Sequence, residues 1–184
     1  LRLKEEFGFR VVLHHVSEAW KVADEIAKAG VACSVIVVDS PGGKLEAKDL
    51  SLETAGILER AGVAVSIHSD DWITDSRLFL RSAALAVRGG MSRQGALEAL
   101  TIQGARQLDL ADRVGSLEKG KDADFIVLSG DPLSVYTLVE TTWVRGEKVF
   151  DRTNEKDRLW AEGGWGAGQK RGGALCCLGD GEDR

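Results

Sequence analysis

The sequence predicts an α/β fold, a parallel sheet made by three consecutive βα units, followed by a small β element and a glycine-rich tail. Three observations predict it. Short β-branched runs end abruptly in polar residues, and each is followed by a segment with helical spacing of small apolar residues. The join Lys28-Ala29-Gly30-Val31-Ala32-Cys33-Ser34 is echoed by Arg60-Ala61-Gly62-Val63-Ala64-Val65-Ser66, a helix stop feeding a strand at the same phase, as stacked βαβ crossovers require. Beyond Met91 the texture changes to short helices and then to strand-turn-strand patterns.

In order, Phe9 to Leu13 reads as the first strand and ends in His14-His15. Ser17 then opens a helix to Ala29, in which Ala19, Ala23, Ile26 and Ala27 recur near helical spacing before Gly30 stops it. Val31 to Val38 is the second strand, Asp39 to Gly43 a loop, and Ser51 caps a helix that reaches about Ala61. The third strand, Val63 to Ile67, is an apolar run led by β-branched residues, reads as a strand buried on both faces, and runs into His68-Ser69-Asp70-Asp71. A helix from about Ser76 to Val87 follows and ends at Gly89-Gly90.

Ser92 and Thr101 are placed to cap two short helices reaching Leu100 and Leu108. Asp124 to Leu128 is a strand, and Thr141 to Arg145 with Lys148 to Phe150 forms a hairpin through Gly146-Glu147. From Asn154 glycines accumulate, which predicts a tail or draped loop anchored by Trp160 and Trp165.

With 184 residues, 43% of them hydrophobic, the chain can bury a sizeable core. A net charge of -5 without a basic block repels phosphate backbones and anionic lipid, so neither nucleic acid nor a membrane is expected as a partner. Apolar runs are strand-length, far short of the roughly 20 residues that span a bilayer. Cys33, Cys176 and Cys177 make no disulfide framework, which favours a reducing, cytoplasmic compartment and reduced thiols. The chain opens with Leu1 and no apolar signal core, so its true amino terminus is expected upstream.

The carboxyl ends of parallel strands are where loops aim side chains into a shared crevice. Extended geometry carried past the third strand sets His68 and Asp70 on one side, and His15 holds the matching end of the first strand. Neutral imidazoles and a carboxylate suit zinc or another divalent ion, which lowers the pKa of bound water to about 7. Against this stand plainer roles. His14, His15 and His68 can be structural hydrogen-bonded residues, with that role favoured for His14 and His68. Asp71 and Asp75 precede a helix, where capping is their default. Arg77 either pairs with Asp71, the favoured reading, or faces a substrate carboxylate, and Lys44 and Lys48 are solvated. Gly42-Gly43 lacks the spacing of a phosphate-binding loop.

Four stretches together resemble the carboxyl-terminal part of the amidohydrolase superfamily, in particular its imidazolonepropionase-like members. His68-Ser69-Asp70-Asp71 is similar to the motif after the eighth barrel strand; Leu97-Glu98-Ala99-Leu100-Thr101 with Ala105 and Leu108 looks like its "AL…T…A…L" helices. Arg113 to Asp124 resembles its "GSLxxGKxAD" entry into a small β domain, and Gly130-Asp131-Pro132 the sequel. The likeness runs from about Phe9 to Asp151.

The resemblance implies the last three βα units of a (β/α)8 TIM barrel over residues 1-112, strands of a small β-sandwich over 113-153, and a tail over 154-184. It implies a metal-dependent hydrolase, zinc the expected metal, that cleaves a C–N bond of an amide or cyclic amide in a small-molecule substrate. Asp70 would be its catalytic carboxylate and a metal ligand, and His15 a metal ligand as in binuclear members or a contact to substrate or to a ligand as in mononuclear ones; His68, Asp71 and Arg77 would face or support substrate, and His14 receives no role. A prolidase-like dipeptidase or a deaminase shares every motif, and a non-catalytic β/α binding domain is the rival of another class. The family's HxH pair, its bridging Lys or Glu and its fifth-strand His have no counterpart here. A fragment is therefore expected, barely active alone and completed by the missing amino-terminal half or by a homo-oligomer partner. Its open sheet edges favour association.

Overall fold

The structure, a computed structural model, describes residues 1–37, 45–71 and 74–163. The predicted 39–43 loop, Lys44, Trp165, the vicinal cysteines and the 164–184 part of the tail lie outside the described residues.

Three parallel strands form the first sheet, β1 (Val12–His14), β2 (Ala32–Val35) and β3 (Val65–Ile67), in that order. The register sets His14 beside Ser34 and Ser34 beside Ser66. Because side chains alternate, these three share one face with His68, whereas Leu13, Cys33, Val35, Val65 and Ile67 point the other way. That second face meets the helices, and Cys33, Val35, Val65 and Ile67 pack there with Ile26, Leu58, Ala83, Ala86 and Ala96 into one core. The helix side of the strands is therefore apolar, the other face carries His14, Ser34 and Ser66, and β3 is buried on both faces as expected. The ladder is shorter than the predicted strands because Ile36 and Val37 extend beyond the last paired residue of β2.

Helix α1 (Arg2–Phe7), which sequence patterning did not signal, ends at Gly8 in a left-handed conformation, φ 68°. Lys4 Nζ donates to Ala29 O at 2.9 Å and ties it to the end of the next helix. The Ser17 segment splits into a 3-10 turn (Ala19–Val22) and α2 (Ala23–Lys28). Ser51 starts a turn instead of capping directly, since α3 (Thr54–Arg60) begins behind Glu53. A 3-10 turn at Ser76–Leu78 leads into α4 (Phe79–Arg88), whose alanine side is buried.

Ser92 caps α5 (Arg93–Ala99) as predicted, its Oγ accepting from Gly95 N at 2.9 Å. Thr101 does not cap α6 (Ile102–Gln107): its hydroxyl donates back to Leu97 O at 2.8 Å, because Thr101 N still bonds Glu98 O and completes the last turn of α5. Both α5 and α6 contact β3, so they hold the strand that leads to His68.

The second sheet is antiparallel, β4 (Phe125–Leu128), β5 (Val139–Val144) and β6 (Glu147–Asp151), with a register shift in each ladder. Phe125 stacks on Trp143 at 5.6 Å. Arg93 pairs with Asp131 across the two parts of the chain. Where a tail was expected, α7 (Glu155–Glu162) forms behind Asn154, whose Oδ1 accepts from Lys156 N and Asp157 N. An Asn cap and acidic first turn outweigh the glycines that start only at Gly163.

Candidate active site

β1 and β3 deliver their carboxyl ends side by side, with β2 between them. His14 is the last residue of β1 and His15 leaves the strand with φ 54°. His68 extends the β3 ladder by one bond, its N–H donating to Val35 O at 3.0 Å. Then the chain turns. Asp70 and Asp71 both take left-handed backbone conformations, φ 52° and 44°, and Asp71 N bonds Ser69 Oγ. Extended geometry does not persist to Asp70, so strand alternation is not what aims it. His and Asp tolerate left-handed φ better than most side chains, yet each such residue carries local strain. Three of the five non-glycine positive-φ residues among those described fall at this one site.

That turn brings Asp70 Oδ2 to 3.7 Å from His15 Nδ1, the two groups 38% and 51% exposed. The distance exceeds a hydrogen bond and leaves both ends open to a third partner. His15 lies 4.8 Å from His68 ring to ring, His14 5.0 Å from His68, and His14 5.8 Å from His15. One nitrogen from each ring lies within 4.8 Å of the others, so His14, His15 and His68 can share a cation. His14, which received no role from the resemblance, is thus part of the cluster. Only strand register could have revealed it, since register sets which imidazoles share a face.

His68 is the best-held of the three. Its Nδ1 sits 2.7 Å from Ser34 Oγ, while its Nε2 is buried without a hydrogen-bond partner among the described residues. Burial first, then the neighbouring His15 and His14, push its pKa down to about 4, against a smaller opposing effect of Asp70. At neutral pH it is therefore an uncharged imidazole. The donor set fits a divalent cation on chemical grounds: three imidazoles beside a carboxylate, with one buried ring nitrogen unpaired among the described residues.

Arg77 does not reach Asp71. Its guanidinium is engaged by Asp75, with Nε 2.9 Å from Oδ1, and Asp75 also caps the 3-10 turn. Two residues of separation across one turn make that pairing local, whereas Asp71 sits exposed in the left-handed turn before Thr74 and caps no helix. Arg77 instead borders a cavity of about 570 Å³ between α4, the second sheet and α7, lined by Phe79, Ile126, Leu138 and Trp160. None of the clustered histidines or Asp70 lines it.

The described helices include none long and apolar enough to cross a membrane. A family model for the amidohydrolase family matches residues 14–150. An amidohydrolase of Hapsidospora irregularis, tasK, is 26% identical over 150 residues, 79% of this chain and 15% of that protein. An imidazolonepropionase of Desulfotalea psychrophila is 33% identical over 110 residues, 55% of this chain and 26% of that protein. The crystal structure of an amidohydrolase from Thermotoga maritima MSB8 superposes with a TM-score of 0.78 at 37% identity, over 82% of this chain and 39% of that one. The chain thus spans well under half the length of these relatives. Matched from the histidine pair at the end of β1 to the last strand of the small sheet, the chain belongs to the amidohydrolase family.

Proposed function

We propose that the protein to which this chain contributes is a metal-dependent hydrolase of C–N bonds, acting on an amide or cyclic amide of a small molecule. The observation that carries the reading is the approach of Asp70 to His15 at 3.7 Å beside two further imidazoles at the strand ends. His15 and Asp70, with His14 and His68, would hold a divalent cation, zinc by preference for this donor set. Such an ion lowers the pKa of water to about 7 and polarises a carbonyl. Asp70 accepts the proton of the attacking water as oxygen adds to the carbonyl carbon, then returns it to the nitrogen as the C–N bond breaks, leaving a carboxylate and an amine. Its partial exposure keeps the carboxylate within reach of substrate. A dipeptidase uses the same proton transfers at the same amide carbonyl carbon, and a deaminase uses them at a ring carbon that bears an amino group.

The fold supports placing the three parallel strands as the last βα units of a (β/α)8 barrel. Among the described residues, strands β1 and β3 each have one unpaired edge, which further strands of the full-length protein or a second copy of this chain would pair. The chain by itself is expected to show little hydrolysis. The test is turnover of a panel of cyclic amides, linear amides and dipeptides by the full-length protein with zinc. Asp70→Asn should lower kcat by about 10²–10⁴-fold, and chelation should abolish turnover reversibly. Unchanged turnover in Asp70→Asn defeats the assignment, and the absence of a stoichiometric cation lost with His15→Ala favours a binding domain.

A further inference from the structure

We infer that Ser34 is a positioning residue of this crevice: its hydroxyl accepts the Nδ1–H of His68 and so leaves the ring's Nε2 lone pair to the space shared with His14 and His15. This role presupposes the metal-dependent reading proposed above. Ser34 sits in the middle strand, 3% exposed, one register step from His14 on one side and Ser66 on the other. A buried serine in the central strand of a parallel sheet needs a polar partner, and the one it has is His68 Nδ1 at 2.7 Å.

The consequence falls on the ring. An imidazole can flip about its Cβ–Cγ bond and exchange its proton between two nitrogens, so a cluster of three imidazoles is pre-organised only where something fixes each ring. Ser34 fixes His68 through Nδ1, and the remaining nitrogen is buried with no hydrogen-bond partner among the described residues, the ring about 5 Å centroid to centroid from both neighbours. A ring that offers Nε2 to a cation must carry its proton on Nδ1, which requires an acceptor there. Ser34 Oγ is that acceptor. Ser66 provides an internal contrast: it is equally buried and its hydroxyl donates to Gln107 Oε1 at 2.7 Å, away from the imidazoles.

The experiment uses the full-length protein labelled with ¹⁵N-histidine, metal-free, with long-range ¹⁵N–¹H spectra to assign the His68 tautomer and Zn²⁺ titration to measure affinity. The wild type should show His68 protonated on Nδ1. Ser34→Ala should move the proton to Nε2 and weaken Zn²⁺ binding by about tenfold or more. Ser34→Cys, which fills the same space with a poor acceptor, should do the same should the alanine variant fold badly. Ser66→Ala should retain wild-type tautomer and affinity. A wild-type His68 protonated on Nε2, or a Ser34→Ala protein that keeps the Nδ1 proton and binds Zn²⁺ within twofold of wild type, overturns the role. A protein whose tautomers follow the expectation but which takes up no Zn²⁺ upholds the Ser34–His68 orientation and refutes the metal-dependent reading instead.

Discussion

A methyl group added at Gly56 tests how tightly the helix layer is locked behind the site. Gly56 lies within α3, and a Cβ built there would sit 2.6 Å from Gly90 C, 2.7 Å from Met91 N and 2.8 Å from Gly90 O. All three are backbone atoms, so no side chain can swing away. Helix propensity favours alanine over glycine by about 1 kcal/mol. Overpacking typically costs about 1–3 kcal/mol, and rigid backbone contacts place this site at the upper end, so Gly56→Ala should be destabilising by about 1–2 kcal/mol net. Gly104 in α6 provides the opposite case, because a Cβ there meets nothing within 4 Å. Propensity then acts alone and Gly104→Ala should stabilise by about 0.5–1 kcal/mol. Scanning calorimetry should show Tm falling by about 2–8 °C for the first and rising by about 1–4 °C for the second. A Gly56→Ala protein that melts at or above the wild-type temperature refutes the close approach of α3 to the Gly90–Met91 turn. That turn matters to the site, since Ser92, next in sequence, is held by Glu59 through N–H and hydroxyl and starts α5, which packs on β3.

Three further outcomes are expected. Cys33 is wholly buried in the core and burial pushes its thiol up to about 11, so it stays neutral in the fold and should react with thiol reagents only as the protein unfolds. Because the folded pKa is raised, the contribution of the neutral thiol is complete below its ordinary value and is lost as pH rises toward about 11. Urea midpoints should fall across that alkaline window and fall less in Cys33→Ala; equal slopes would rule the thiol out. Gln107→Leu should cost about 1–3 kcal/mol by urea denaturation, as Nε2 donates to Cys33 O at 3.1 Å and Oε1 accepts from Ser66; a change under a few tenths would show that solvent replaces both bonds.

What the amino-acid sequence determined by itself is local and periodic. The three β-branched runs and the glycine-ended helices specify βα units, Ser92 specifies a cap, and the hairpin around Gly146 specifies the second sheet, because each depends on neighbours a few residues away. The strand-end position of His15, His68 and Asp70 was equally legible. Tertiary structure decided how these side chains meet. Parallel register set His14 and Ser34 in one row, left-handed turns at His15 and Asp70 replaced strand alternation as the device that joins them, and Asp75 took the guanidinium expected to pair with Asp71. Each of these depends on distances between residues remote in the chain or on a backbone turn with no glycine to announce it, and neither quantity is written in composition or spacing.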